Sequence, residues 1–247
     1  MKVIGIIPAR YASSRFPGKP LVDIAGKTMI QRVYEQVRST PCLSEVVVAT
    51  DDERIAEVVR SFAGNVILTS DKHESGTDRC AEVVSKIEGF DVAINIQGDE
   101  PFINPLQIEL VASCFEKEST QIATLIKPIT EEKELFNTNS PKVVINAAQE
   151  AIYFSRQTIP FLRNVPQEEW LTSHTFYKHI GIYGYRIPVL KELTSLAVST
   201  LESSEALEQL RWLENGFRIQ TAVTNHETIA IDTPQDLEDV MRKFFQK

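Results

Sequence analysis

Cysteine is scarce: Cys42, Cys80 and Cys114 are the only three in 247 residues, an odd number with no C-x-x-C pair. That spacing supports neither a disulfide framework nor a zinc site. Long apolar runs are missing too. The first, residues 3–7, is cut short by Pro8 and Arg10, too early for a signal-peptide core. None elsewhere approaches the roughly 18 residues that a membrane helix needs. A cytoplasmic chain without membrane insertion is expected. An excess of positive charge is also lacking: 26 Lys plus Arg against 34 Asp plus Glu give −8, which argues against a nucleic-acid binder. What is present is 43% hydrophobic residues along the whole length and only 24% charged, the balance of a folded core rather than a disordered chain. One further absence is local. Residues 1–20 hold Lys2, Arg10, Arg15 and Lys19 but no acid, so the opening carries +4 and the other 227 residues −12.

The hydropathy pattern alternates between two periods. Buried-strand patterns at 3–7, 46–49, 65–68 and 92–96 are separated by helical stripes. These stripes are Met29, Ile30, Val33, Tyr34 and Val37, then Ile55, Val58, Val59 and Phe62, then Cys80, Val83, Val84 and Ile87. Runs that are apolar throughout suit a sheet covered on both faces, and the strand–helix–strand rhythm predicts a mostly parallel, doubly wound sheet. From about residue 120 strand patterns dominate, at 122–126, 143–145, 151–154 and 180–185, with a polar connection over 164–175. The end returns to helix (Leu207, Leu210, Leu213), strand (219–223) and helix (Leu237 to Phe245). The expectation is a three-layer α/β/α fold with a mostly parallel, mixed central sheet. Residues 1–247 form a single domain in this reading, with 120–190 as an inserted mixed-sheet lobe.

The basic opening lies directly after the first strand, where such a sheet opens its ligand crevice. Residues 8–20 combine Arg10, Arg15 and Lys19 with small residues and Gly18, a chemistry that suits a polyphosphate. The phosphate-loop motif G-x-x-x-x-G-K-[ST] is only approached, at Gly26-Lys27-Thr28, because its upstream glycine position holds Leu21. The dinucleotide fingerprint G-x-G-x-x-G is absent as well. Any one of these cations alone would read as part of a solvated turn.

The segment IIPARYASSRFPGKPL (6–21) resembles the signature of sugar nucleotidyltransferases, most closely the 3-deoxy-manno-octulosonate (KDO) cytidylyltransferases. The resemblance continues through HESGTDR (73–79), NIQGDEP (95–101), YFSR (153–156), HIGIYGYR (179–186), LEQLR (207–211) and IDTP (231–234). The opening block alone identifies a broad superfamily; the later ones make the match specific. The resemblance implies a nucleotidyltransferase fold and CTP-dependent activation of KDO, giving CMP-KDO and pyrophosphate for lipopolysaccharide core assembly.

Asp99 follows the strand at 92–96, and Asp232 follows a predicted strand at 228–231. Two such carboxylates suit a hard cation shared with phosphates. A strand-end Asp also serves as a turn former, and Thr233-Pro234 reads equally as a helix start. The resemblance places Mg²⁺ ligands at both Asp99 and Asp232, and phosphate contacts at Arg10, Arg15 and Lys19. It assigns the nucleotide to Pro8, Ala9, Arg10, Lys19, Ser75, Gly76, Thr77, Arg79 and Gln97. Ser75 also reads as a helix N-cap. For the sugar acid, Arg156 offers a guanidinium fork, and His179, Tyr183, Glu208 and Gln209 lie in matching blocks. Glu208 reads equally as an exposed helix residue, and Tyr183 as core. The pair His174 and His179, five apart, is not a helical metal pair, and Asp51-Asp52 reads as a helix opening. A homodimer through the lobe is implied by resemblance alone. Three competitors share parts of the pattern: an 8-amino-KDO variant, a CMP-sialic acid synthetase, and a non-catalytic nucleotide-sugar binder or glycosyltransferase. A glycosyltransferase lacks support in the missing first Asp of a D-x-D motif at 97–99, a CMP-sialic acid synthetase is expected to differ in the sugar-reading blocks, and a binder need not release pyrophosphate.

Overall fold

The computed structural model describes residues 1–12, 15–227 and 229–245. The chain opens with β1 (Val3–Ala9), followed by a short hairpin of β2 (Asp23–Ile24) and β3 (Lys27–Thr28). Helix α1 (Met29–Arg38) buries the stripe from Met29 to Val37 that its 3.6-residue period predicts, and Thr28 caps it. The alternation continues through β4 (Glu45–Thr50), α2 (Glu53–Ser61), β5 (Val66–Leu68), α3 (Gly76–Lys86) and β6 (Val92–Asn95). Next come α4 (Pro105–Ser113), β7 (Ile122–Pro128), α5 (Glu132–Leu135), β8 (Lys142–Ile145) and β9 (Ala151–Ser155). The chain ends with α6 (Trp170–Ser173), β10 (Tyr177–Arg186), α7 (Ile187–Leu193), α8 (Thr200–Glu205), α9 (Gln209–Glu214), β11 (Ile219–Val223) and α10 (Pro234–Phe244).

Among the described residues, the main path of the sheet runs β11-β7-β10-β6-β1-β4-β5, with β8 paired to β10 and β9. The ladders β11/β7, β6/β1, β1/β4 and β4/β5 are parallel; β10 runs antiparallel to β6, β7 and β8. The sheet is therefore mixed, with β10 as the strand that reverses direction. Alternation along β1 feeds two separate cores. Val3 and Ile7 join Ile30, Val33, Ile55 and Val111 under α1, α2 and α4. Ile4 and Ile6 join Cys80, Val83, Leu190, Leu210 and Trp212 under α3, α7 and α9. Each fully buried aliphatic side chain contributes roughly 1.5–3 kcal/mol, which is why strands apolar on both sides are placed in the middle layer.

Several elements differ from the sequence reading. The strand expected at 228–231 begins at Thr228, outside the described residues, and 229–231 forms no strand. Ile231 instead packs against Ile24, Met29 and Val240 in a separate apolar cluster, and its N–H donates to the Asp99 carbonyl at 2.9 Å. The polar connection at 164–175 contains α6 and buries Trp170 against Phe176. Helices α4, α7 and α8 were not read. In α4 the apolar residues cover more than one face, so the period is lost; its signal lay in the Asn104 cap with Pro105 and Gln107. Among the described residues no helix is long and apolar enough to cross a membrane.

Candidate active site

Strands β1 and β6 lie side by side in parallel, from Val3 opposite Val92 to Ile6 opposite Asn95. Their C-terminal ends therefore open at one edge, and the loops that follow meet there. A cavity of about 250 Å³ at this edge is lined by Pro8, Ala9, Arg10, Arg15 and Lys19 from the first loop, and by Gln97, Gly98 and Asp99 from the second. Ser75, Gly76 and Arg79 line it from the start of α3, and Asp232 from the approach to α10. The loops touch so closely that a Cβ on Gly98 would sit 2.6 Å from the Pro8 carbonyl oxygen, a distance only glycine permits. Gly18, at φ +72°, closes the first loop by donating its N–H to Tyr11 O at 2.9 Å, and this sets Lys19 at the head of a 3-10 turn. Ser13 and Ser14 of that loop lie outside the described residues. Ser75 caps α3 in a reciprocal box with Asp78, and Thr233 does the same for α10 with Asp236. Both helix starts are thus fixed at the cavity rim, and the capping reading of Ser75 and Thr233 holds together with their place at the site.

The two carboxylates meet on one cation. Lys19 Nζ lies 2.7 Å from Asp99 Oδ2 and 3.0 Å from Asp232 Oδ1, and Arg15 Nη2 is 3.2 Å from Asp232 Oδ2. Lys19 is well enclosed, its side chain 13% exposed, while Asp99 and Asp232 keep 25% and 37%. Among the described residues no group of three or more metal-ligating side chains occurs. Two convergent carboxylates beside Arg15 and Lys19 nevertheless fit a magnesium-type ion, which takes few protein ligands and completes its shell with phosphate and water oxygens. Glu100, buried next to Asp99, is pushed up to about 8 by desolvation and by the Asp99 charge. Arg79 is buried at the back wall, where it donates to Thr69 Oγ1 and to Asp51 Oδ2. Asp51 is thereby used by Arg79, and Asp52 caps α2. His73 and Glu74 also line the cavity, though sequence reasoning singled out neither; their signal was membership of the 73–79 block. His73 pairs with Glu82. Desolvation raises the Glu82 pKa, but bonds from Lys86, Ser70 N–H and His73 outweigh it and hold it at about 2.

The residues expected at the sugar do not line this cavity. Of these, Glu208 and the part of β10 that carries His179 and Tyr183 are tied to the cavity by hydrogen bonds. Gln97 Nε2 donates to Gly181 O at 2.8 Å, within the irregular stretch of β10 between Ile180 and Tyr183. Thr77, buried rather than at the cavity surface, donates its hydroxyl to Glu208 Oε2 at 2.8 Å. Tyr183 packs at a tilt against His179, ring centroids 5.1 Å apart, and meets Trp212 edge-on at 5.0 Å. His179 Nε2 lies 3.0 Å from Thr124 Oγ1, and desolvation pulls its pKa down to about 3, so the ring is neutral at physiological pH. Desolvation raises Glu208, against the bonds from Thr77 and Ser75. Tyr183 is buried with its hydroxyl toward the Thr124 side chain, and among the described residues the buried Gln209 amide nitrogen has no hydrogen-bond partner. A group without one is costly unless water or a polar ligand meets it. Arg156 donates to the backbone carbonyls of Thr138, Glu205 and Ala206, and among the described residues no carboxylate is bound to its guanidinium. His174 is exposed and packs edge-on against Phe176.

Residues 4–224 match the family model described as Cytidylyltransferase. The chain is 61% identical over 246 residues to the 3-deoxy-manno-octulosonate cytidylyltransferase of Parabacteroides distasonis, covering 98% of this chain and 97% of that one. It is 60% identical over 242 residues to the protein of the same description from Bacteroides thetaiotaomicron, covering 96% of each. Its structure superposes on that of a CMP:2-keto-3-deoxy-manno-octonic acid synthetase complexed with CTP, with a TM-score of 0.92, 44% identity, and coverage of 100% of this chain and 99% of the other. The order of the blocks, the mixed sheet and the cavity at its strand ends agree with these matches: the chain belongs to the 3-deoxy-manno-octulosonate cytidylyltransferase family.

Proposed function

We propose that the cavity binds CTP and the polar cluster behind it binds KDO, and that the anomeric hydroxyl on C2 attacks the α-phosphorus in line. One C2–O–P bond forms, the bond from the α-phosphorus to pyrophosphate breaks, and the hydroxyl proton is released. The observation that carries this reading is the meeting of three cations from one loop with two carboxylates from distant segments at the strand ends. Phosphoryl-group transfer asks the protein mainly for position and charge, with little covalent help. Arg10, Arg15 and Lys19 neutralise the triphosphate, and Arg10 and Arg15 reach it as planar forks. Pro8, Ala9, Ser75, Gly76 and Gln97 present backbone and amide groups to the nucleotide, while Arg79, buried behind them, fixes that wall. Asp99 and Asp232 would hold Mg²⁺, which when bound polarises the phosphate oxygens and lowers the pKa of the attacking hydroxyl.

On the sugar side, Arg156 takes the carboxylate, and Tyr183 and Gln209 meet hydroxyls, Gln209 with an amide nitrogen that lacks a partner among the described residues. His179 contributes as a neutral hydrogen-bonding ring, not as a cation. Glu208 and Thr77 tie the two halves together. The same reading includes a homodimer through the lobe at 120–190, where Ile152 and Phe161 are exposed; sedimentation of the full chain tests it. Phosphorus NMR of CTP mixed with KDO and Mg²⁺ tests the chemistry. The expected result is a new phosphodiester signal appearing in step with pyrophosphate; unchanged CTP, or free CMP in place of the diester, would overturn it.

A further inference from the structure

The Lys19 ammonium lies between the two carboxylates, with an oxygen of each within hydrogen-bond distance. We infer that Lys19 is an internal counter-ion that occupies the metal-binding oxygens of the nucleotide-free protein, so that free divalent metal is excluded and metal enters together with the triphosphate. This rests on the proposed CTP reading of the cavity and adds to it an order of loading.

Charge and mobility both support it. Asp99, Asp232, Lys19 and Arg15 together are neutral, and each carboxylate already has a cationic partner. A bare divalent ion must displace one of those cations and leaves the enclosed site with an excess of positive charge. A metal arriving on a triphosphate brings net negative charge, and the displaced ammonium then has phosphate oxygens as new partners. The motion this needs lies in the side chain and not in the loop. The backbone around Lys19 is held by Lys19 N–H to Phe16 O at 3.2 Å, Leu21 N–H to Gly18 O at 2.9 Å and Val22 N–H to Lys19 O at 3.2 Å. Lysine suits the task because it is a point charge on a flexible four-carbon stem, whereas an arginine fork would grip one carboxylate in fixed geometry. The second cation, Arg15, is largely exposed and leaves the clamp between Asp99 and Asp232 to Lys19 alone.

The test is Mn²⁺ binding to the nucleotide-free full chain, read by the paramagnetic resonance of free Mn²⁺, for wild type and Lys19→Met. The expected result is that K19M binds Mn²⁺ at least tenfold tighter than wild type, and that K19M/D99N loses the gain. Thermal unfolding gives a second readout. Without metal K19M melts lower than wild type, because two facing carboxylates have lost their cation; millimolar Mg²⁺ restores K19M and leaves wild type unchanged. Equal or weaker Mn²⁺ binding by K19M, or a melting temperature that Mg²⁺ raises equally in both proteins, would overturn the inference. Failure of the CTP reading shows separately, as wild type that binds neither CTP nor Mn²⁺ plus CTP in the same titration.

Discussion

Arg156 and His179 illustrate how far a side chain's surroundings, more than its type, decide its task. Among the described residues the Arg156 guanidinium rests on three carbonyls and no carboxylate, and on the proposed reading it meets the sugar acid's carboxylate. Replacing it with alanine is expected to raise the KM for KDO roughly 10-fold or more, the worth of a hydrogen bond to a charged group, with CTP binding retained. Steady-state kinetics with each substrate varied in turn would check this; a loss of CTP affinity with KDO binding intact would contradict it. His179 makes a claim about pH. Its folded pKa of about 3 lies below the ordinary value of 6.5, so between those values the unfolded chain binds a proton that the folded one refuses. Stability therefore falls as pH drops below about 6.5. H179Q should flatten that part of a urea-unfolding profile, and an NMR titration of the ring near pH 6.5 would refute it. At this scale the cations after β1 were legible, because charge placed directly after a strand is visible in one dimension; Asp99 and Asp232 stood out through the blocks that resemble the family, since 229–231 before Asp232 forms no strand. The ammonium shared by Asp99 and Asp232 was not. It joins residues 19, 99 and 232, and no local pattern records that meeting.

Elements hold these groups in place chiefly through their ends. Thr233→Ala removes one half of the capping box that starts α10, next to Asp232. A loss of about 1 kcal/mol, or roughly 2–4 °C in Tm, is expected, with a larger fall in activity at limiting Mg²⁺ than at saturating Mg²⁺. Calorimetry and a Mg²⁺ titration would show it; unchanged Mg²⁺ dependence would separate the cap from the site. Gly98→Ala puts a methyl group against the Pro8 carbonyl. Forcing the two loops apart is expected to cost about 1–3 kcal/mol and to abolish most turnover; wild-type activity would show that the loops need not touch. Strands β1, β4 and β6 and helices α1, α2 and α3 could be read from the sequence because the strands are apolar throughout and each helix buries a regular stripe; the short β2–β3 hairpin has neither. Helix α4 could not, since its apolar residues surround more than one face, and neither could the path of residues 229–231, whose place is set by Asp99 and by the packing of α10.

The whole molecule separates a charge problem from a recognition problem. One sheet edge gathers the acid-free opening and two distant aspartates, and His179, Tyr183 and Gln209 are buried away from it. The formal charge of −8 conceals that division, since three of the four cations in the first twenty residues, Arg10, Arg15 and Lys19, line a single cavity. If the cavity and the cluster are the two halves of one site, nucleotide and sugar acid must be selected together. The most direct test is initial-rate pyrophosphate release with CTP, UTP, ATP and GTP, each against KDO, 8-amino-KDO and sialic acid, with and without Mg²⁺. Release that requires Mg²⁺ and is fastest by far with CTP plus KDO is the expected result. Release that is absent with CTP and KDO, or equal with all four nucleotides, would contradict the account.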